Sequence, residues 1–215
     1  MKNLFTFIIL AIGILFINNS CTYSEKPALT KEPDKQEIIK IIPKNKNGAS
    51  YYPYKMVQKD AKRIGLISLD KGYDSLFIRL WYVYRATMQV TDLKKSDGKW
   101  SAGFHTMKFG VIEDRLDVIE TNSTYISPKS DWNIFMNKLF SLNLLELPDD
   151  SELPDYKSLV NDAAFVIVEV ATKERYKIYS YGEISDHLEF PQVVKMENIM
   201  KLIEEEFGIK RTEDF

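Results

Sequence analysis

Beyond the first 50 residues, the densest apolar stretches of the chain carry the residue types of β-strands. Residues 76–84, Leu-Phe-Ile-Arg-Leu-Trp-Tyr-Val-Tyr, and residues 165–170, Phe-Val-Ile-Val-Glu-Val, are rich in aromatic and branched side chains. Such side chains favour a pleated, half-buried surface. Residues 175–181 predict a strand that returns along 165–170 across a short turn at Thr172-Lys173. These segments predict a β-sheet.

A second run of strands surrounds a clear turn signal. Residues 86–93 and 100–109 keep a strand-like composition on either side of Ser96-Asp97-Gly98. An Asp-Gly pair suits the left-handed backbone of a tight hairpin. Residues 111–125 alternate more loosely and predict a further strand or hairpin.

Two later segments repeat apolar side chains every three or four residues, which places those side chains on one face of an α-helix. The first spans about 128–143 and can begin at Ser127-Pro128 or at Ser130-Asp131. The second spans 191–207 and stops before Gly208. The two stripes consist of Trp132, Phe135, Met136, Leu139 and Leu142, and of Val193, Met196, Ile199, Met200, Ile203 and Phe207.

Strands with helices set between and after them are typical of an α+β fold. We expect an antiparallel sheet packed on one face by two amphipathic helices, at about 128–143 and 191–207. These elements predict a single α+β domain over residues 51–215.

The chain opens with a different pattern. After Met1-Lys2-Asn3, residues 4–17 run for fourteen positions without a charge. A membrane-spanning helix needs roughly 20 apolar residues, so this run fits the apolar core of a secretory signal peptide over residues 1–20. The run ends at Asn18-Asn19-Ser20-Cys21, where the single cysteine of the chain follows a small residue.

This arrangement resembles the signal peptide and lipobox of bacterial lipoproteins, with Asn18 where that family usually carries an aliphatic residue. The resemblance covers residues 1–21 and implies cleavage between Ser20 and Cys21 and a lipid on the Cys21 sulfur. It implies a membrane-anchored protein of the cell envelope, and Thr22 after the cysteine implies the outer membrane. The alternatives are a secreted protein with a free thiol and an uncleaved N-terminal anchor.

Residues 21–50 predict a lipidated N-terminus followed by a flexible tether. Prolines and charges of both signs recur there, and such a composition favours a solvated linker. Within it, residues 38–42, Ile-Ile-Lys-Ile-Ile, can form a short first strand.

Composition narrows the classes of function. The chain of 215 residues carries 29 Lys+Arg against 31 Asp+Glu, with two histidines and one cysteine. A nearly neutral chain is a poor nucleic-acid binder, and so few thiols and imidazoles disfavour a zinc site or a disulfide framework. The six acids of the 146–162 loop lack the spacing of a calcium site. We therefore expect no nucleic-acid partner, no metal and no cofactor.

Familiar catalytic motifs are missing from the sequence. It contains no Gly-x-Ser-x-Gly, no glycine-rich phosphate loop and no His-Glu-x-x-His. His187, which lies among Glu183, Asp186 and Glu189, is a candidate for proton transfer, as is His105 on a predicted strand. The alternative for both histidines is a structural role.

One strand face suggests a binding surface. Arg79, Trp81, Val83 and Arg85 share it, because side chains alternate along a strand. If that face is uncovered, two guanidinium groups flank an indole, and such a surface can bind an anion or a glycan. Arg79, Trp81 and Arg85 are therefore the candidate ligand-binding residues, the alternative being an ordinary sheet face with a half-buried tryptophan.

The first functional hypothesis is a lipid-anchored cell-envelope protein of non-catalytic type. It would present its sheet face or its acidic loop to a protein partner. The alternatives are an envelope receptor for a small anionic ligand or glycan, an enzyme of unrecognised class that uses His187 or His105, and an immunity-like protein that binds a toxin.

Overall fold

A computed structural model describes residues 37–44, 50–157 and 164–212 of the chain. The predicted signal peptide, Cys21 and most of the predicted tether lie outside the described residues. Within the three described ranges, no helix combines the length and the apolar character needed to cross a membrane.

The described ranges contain seven strands, three α-helices and two 3-10 turns. The strands are β1 (Ile39–Ile41), β2 (Leu76–Tyr84), β3 (Thr87–Ser96), β4 (Lys99–Ile112), β5 (Arg115–Ile126), β6 (Phe165–Thr172) and β7 (Arg175–Gly182). The helices are α1 (Tyr52–Arg63), α2 (Trp132–Ser141) and α3 (Pro191–Phe207), and the 3-10 turns are Asp150–Glu152 and Ile184–Asp186. The fold is thus α+β, as expected.

All seven described strands form one sheet in the order β1-β7-β6-β2-β3-β4-β5. Every neighbouring pair is antiparallel except β1 and β7, which are parallel. The expectation of a purely antiparallel sheet is therefore wrong at this one edge. The short strand allowed for at 38–42 is present as β1, and the Ile39 N–H donates to the carbonyl of Glu174 at 2.9 Å.

The sheet is covered on both faces. Helices α2 and α3 pack on one face, around Phe135, Leu139 and Ile199. On the other face Val57 and Ala61 of α1 pack in a second core with Trp81. The sequence predicted helices on one face only.

Helix α1 was missed because its apolar stripe is sparse. It reads Tyr-Pro-Tyr-Lys-Met-Val-Gln-Lys-Asp-Ala-Lys-Arg, and its fully buried residues are Val57, Asp60 and Ala61. Most of its length is polar, so the helical repeat of apolar residues is weak. The helix is stabilised mainly by its packing against the sheet, which no local sequence pattern reports.

The turns explain how β3, β4 and β5 form a meander. Asp97 and Gly98 both adopt positive φ, 49° and 76°, and so do Glu113 and Asp114, at 47° and 59°. Two successive residues with positive φ match the twist of a two-residue hairpin. The first hairpin is as predicted, and residues 111–125 form the end of β4 and most of β5.

The two predicted helices are present with adjusted ends. Helix α2 is shorter than 128–143, since the Asp131 side chain accepts from the Asn133 N–H at 2.7 Å and caps its start. Helix α3 spans the predicted residues, and Gly208 at φ 65° ends it.

Candidate functional site

The predicted binding face at Arg79, Trp81 and Arg85 is not an open surface. The Arg79 and Trp81 side chains lie on the sheet face that α1 covers, where Trp81 is 0% exposed and Arg79 is 1% exposed. Arg85 is exposed at the β2–β3 turn, and its guanidinium lies over the ring of Tyr84 at 5.3 Å. The expectation of an uncovered face is therefore wrong, because a helix that the sequence pattern did not predict packs on it.

Arg79 and Trp81 instead belong to a buried polar network. Trp81 donates from its indole nitrogen to Glu169 at 2.7 Å, and Tyr176 donates to the same carboxylate at 2.8 Å. Arg79 donates twice to Asp92, at 2.6 and 3.1 Å, and once to the carbonyl of Ile67 at 2.9 Å. Every nitrogen of this guanidinium is therefore engaged within the protein.

The charges in this network stabilise one another. Burial alone would lower the pKa of Arg79, but Asp92 and Glu169 raise it above its ordinary value. Burial alone would raise the pKa of Asp92, but the neighbouring His105 ring and the Arg79 guanidinium hold it below its ordinary value. Asp92 is thus an anion at neutral pH.

A cleft of about 400 Å³ opens on the same face, beyond the end of α1. Residues 65–67 form one of its walls, and strands β2 to β5 supply the rest. Its polar lining consists of Arg79, Asp92, Lys94, Ser101, His105, Ser123, Thr124 and Tyr125. We call it the His105 cleft. Its volume lies in the range of small-molecule sites.

Strand register brings the cleft residues together. His105 on β4 stands directly opposite Ser123 on β5, and its Nδ1 lies 2.8 Å from the Ser123 hydroxyl. Its Nε2 faces Asp92 on β3 at 3.7 Å. Gly103 leaves the space beside the ring open, since a Cβ there would come within 3.1 Å of Nε2.

Sequence reasoning found His105 but missed Asp92, Ser123 and Tyr125. They lie far apart in sequence, and the single local signal is that each belongs to a predicted strand segment. The residue types also suggest a serine, histidine and acid relay. However, the 3.7 Å between His105 Nε2 and the Asp92 carboxylate is too long for a hydrogen bond. The Ser123 hydroxyl also contacts Nδ1, whereas in such a relay the serine contacts Nε2. The geometry therefore favours hydrogen bonding to a ligand over proton transfer.

His187 lies elsewhere and does not line the His105 cleft. Its ring packs against Tyr156 with centroids 4.3 Å apart, and its Nδ1 lies 3.4 Å from Glu189. The Glu183 carboxylate is 4.0 Å from Nε2. Among the described residues, the two histidines thus have different neighbours, and His187 is not part of the His105 cleft.

The acidic loop is less solvated than expected. Glu146 binds both terminal nitrogens of Arg175, at 3.0 and 3.1 Å. Asp149 is buried, where it accepts from the hydroxyl of Tyr51 and from the backbone N–H of Ser180 at 2.8 Å. Residues 146–149 are therefore held against β7, whereas Glu152 and Asp155 of the same loop are exposed.

A second cavity, of about 470 Å³, lies between β2, β6 and α3. It has two cationic lining residues: Arg211, from which Glu197 and Glu204 each accept at 2.8 Å, and Lys201, which lies 3.5 Å from Glu197. The ion pairing of Arg211 fixes the chain after α3 to the helix.

No group of three or more potential metal-ligating residues occurs within the described ranges.

The clearest open surface is strand β5 at the end of the sheet. Within the described residues it pairs with β4 alone, so one row of its main-chain groups faces outward. All of its side chains are exposed except Val118 and Ile126. Tyr125, at 91% exposure, belongs both to this edge and to the His105 cleft.

Comparison with known proteins adds no relative. No protein-family model matches the chain, and neither a curated protein nor a solved structure matches it. The function must therefore be argued from the chain itself.

Proposed function

We propose that this protein is a lipid-anchored component of a bacterial cell envelope, and that its domain binds an extended segment of a protein partner along β5. The lipobox-like sequence that ends at Cys21 supports the anchor. The single observation that carries the binding role is the open edge of β5. An unpaired strand edge is a template for another strand.

The chemistry of this edge favours a peptide partner. Its second half, Thr121 to Ile126, reads Thr-Asn-Ser-Thr-Tyr-Ile and carries no charge, proline or lysine. Charges, prolines and lysines are the usual devices that block strand addition at an edge. An uncharged, strand-forming segment of about five residues therefore complements it, through main-chain hydrogen bonds and alternating side-chain contacts.

The first half of β5 is protected in the usual way. It carries the charged residues Arg115 and Asp117. It also contains a bulge, because Ile119 of β5 has no partner on β4 where the register shifts between Lys108 and Phe109. Charges and bulges discourage pairing. The contrast between the two halves assigns the partner to Thr121–Ile126.

The partner is tested by photocrosslinking in cells. Asn122 is replaced by p-benzoylphenylalanine in the full chain, and the exposed helical residue Asn137 receives the same probe as a control. We expect one discrete adduct from position 122, mapped by mass spectrometry to an extended segment of another envelope protein. Position 137 should not give this adduct.

A second variant tests the strand edge itself. Thr124→Lys should abolish the adduct from position 122, whereas Thr124→Ser should leave it intact. A crosslink between two copies of this chain, or an adduct that survives Thr124→Lys, would contradict the proposed mode of binding.

The anchor has its own test. The native chain should be found in the membrane fraction, with a mass gain on Cys21 that corresponds to a lipid. Cys21→Ser should lose both, and Ser24→Ala should keep both. A native chain that stays soluble and unmodified would refute the lipoprotein hypothesis without affecting the crosslinking result.

A further inference from the structure

We infer that the His105 cleft binds a hydroxyl-rich, uncharged ligand of the saccharide class. Ser123 and Tyr125 belong both to β5 and to this cleft, whose ligand would contact side chains on the sheet face, whereas the pairing proposed for β5 uses main-chain groups along the edge. Arg79, Trp81 and Arg85 first suggested an anion or a glycan, and the chemistry of the cleft favours the second of these classes.

The cleft offers a matched donor and acceptor to a ligand hydroxyl. Nδ1 of His105 lies 2.8 Å from the Ser123 hydroxyl. When that hydroxyl donates, Nδ1 is the acceptor and the ring proton lies on Nε2. Nε2 then faces the Asp92 carboxylate at 3.7 Å. At that distance the Nε2–H is not hydrogen-bonded to Asp92, so it can donate to a ligand hydroxyl, and the Asp92 oxygens keep lone pairs that can accept from one. Sugar hydroxyls both donate and accept.

An anion fits this cleft less well. The Nε and Nη2 side of the Arg79 guanidinium is bound to Asp92, Nη1 donates to Ile67, and the side chain is 1% exposed, so little of it is open to a carboxylate or phosphate. The ionised Asp92 repels a negative ligand at the same place. Lys94 at the margin supplies one further donor, which also suits a hydroxyl.

The cleft also supplies an aromatic surface of the kind that sugars stack on. Tyr125 is 91% exposed, and its cross-strand partner is Gly103, which adds no side chain beside the ring. Leu66 and Ile67 form an apolar wall. A ring with an apolar body and a polar tip suits a ligand that carries both hydroxyls and apolar C–H faces.

The test is saturation-transfer NMR on the full chain in a detergent without a sugar head group. The probes are glucose, galactose, mannose, N-acetylglucosamine, cellobiose and lactose. We expect saturation transfer to at least one of them. Tyr125→Ala should weaken that binding by about tenfold, the size of one lost aromatic contact.

Tyr52→Ala is the matched control, because Tyr52 is also largely exposed but lies on α1, outside the cleft. It should leave binding unchanged. The saccharide assignment is overturned if no probe receives saturation, or if both tyrosine variants bind alike. Displacement of the sugar by equimolar acetate or phosphate would show an anion site and overturn it too. None of these outcomes bears on the Asn122 crosslink.

Discussion

The indole N–H of Trp81 donates a 2.7 Å hydrogen bond to the carboxylate of Glu169 in the interior of the sheet. Both side chains are at most 1% exposed, and Tyr176 donates to the same carboxylate. Burial raises the pKa of Glu169, although the Arg79 guanidinium and these two donors counteract that rise. Trp81, which the sequence suggested as a ligand-binding residue, is thus part of a buried hydrogen-bond network that stabilises the fold.

Glu169→Ala should destabilise the domain by about 3–5 kcal/mol, because it leaves the Trp81 and Tyr176 donors buried without an acceptor and opens a cavity. Urea denaturation measures the loss. Glu169→Gln keeps one acceptor oxygen and should cost less. Glu205→Ala, at an exposed position of α3, should stay within about 0.5 kcal/mol. Equal losses for Glu169→Ala and Glu205→Ala would contradict the role of the network.

Tyr51→Phe should reduce stability by about 1–2 kcal/mol. The hydroxyl of Tyr51 donates to the buried Asp149 and lies 2.7 Å from the Ser180 hydroxyl, so it ties the start of α1 to β7. Tyr52→Phe is the matched control, since the neighbouring ring is 65% exposed and should tolerate the change. Thermal unfolding of both variants measures the difference, and equal melting temperatures would contradict the stabilising role of the Tyr51 hydroxyl.

Asp150 should make stability depend on pH. Burial, and next the charge of Asp149, raise the pKa of Asp150 from 3.8 to about 7. Because the folded state binds the proton more tightly, this contribution is complete below about pH 4 and is lost as the pH rises through 7. Asp150→Asn should therefore be nearly neutral at pH 4 and stabilising at pH 8, by on the order of 2 kcal/mol after allowance for partial exposure.

Denaturation of the Asp150→Asn variant and of the native chain at both pH values provides the measurement. Asp155→Asn, at an exposed position of the same loop, is the matched control for the substitution itself. A stability difference for Asp150→Asn that is the same at pH 4 and pH 8 would show that the Asp150 carboxyl is not perturbed as described.

Gly208→Ala should cost about 1 kcal/mol. Gly208 ends α3 at φ 65°, and its N–H donates to the Glu204 carbonyl at 2.9 Å. A Cβ there would meet nothing closer than 4.0 Å, so the cost is conformational rather than steric. Gly208→Asn should cost less, since asparagine tolerates the left-handed region. The ranking of the two melting temperatures checks this, and a reversed order would argue against a backbone cause.

The local sequence pattern predicted most of the elements but not how they assemble. Strand β2 and helix α3 were predicted from composition and period, and Asp97-Gly98 marked a hairpin, because these signals arise among neighbouring residues. Helix α1 carries too few apolar residues for a helical period to be recognised in its sequence. Its position on the sheet covered Trp81 and removed the predicted binding face.

The same division applies to the candidate site. His105 was identified by residue type, whereas Asp92 and Ser123 join it through strand register. Register depends on which strands pair and in what order, and no local pattern encodes it fully. The open half of β5 likewise became visible once the sheet order placed that strand at an edge.

The sequence alone therefore determined the α+β class, most of the strands and two of the helices. The envelope hypothesis also rests on the sequence, on the run of residues that ends at Cys21. These features follow from composition and spacing over a few consecutive residues. The tertiary structure decided which face of the sheet is covered, which charges are buried as partners and which edge stays open. Those outcomes depend on contacts between distant segments, because burial and strand pairing are properties of the assembled fold.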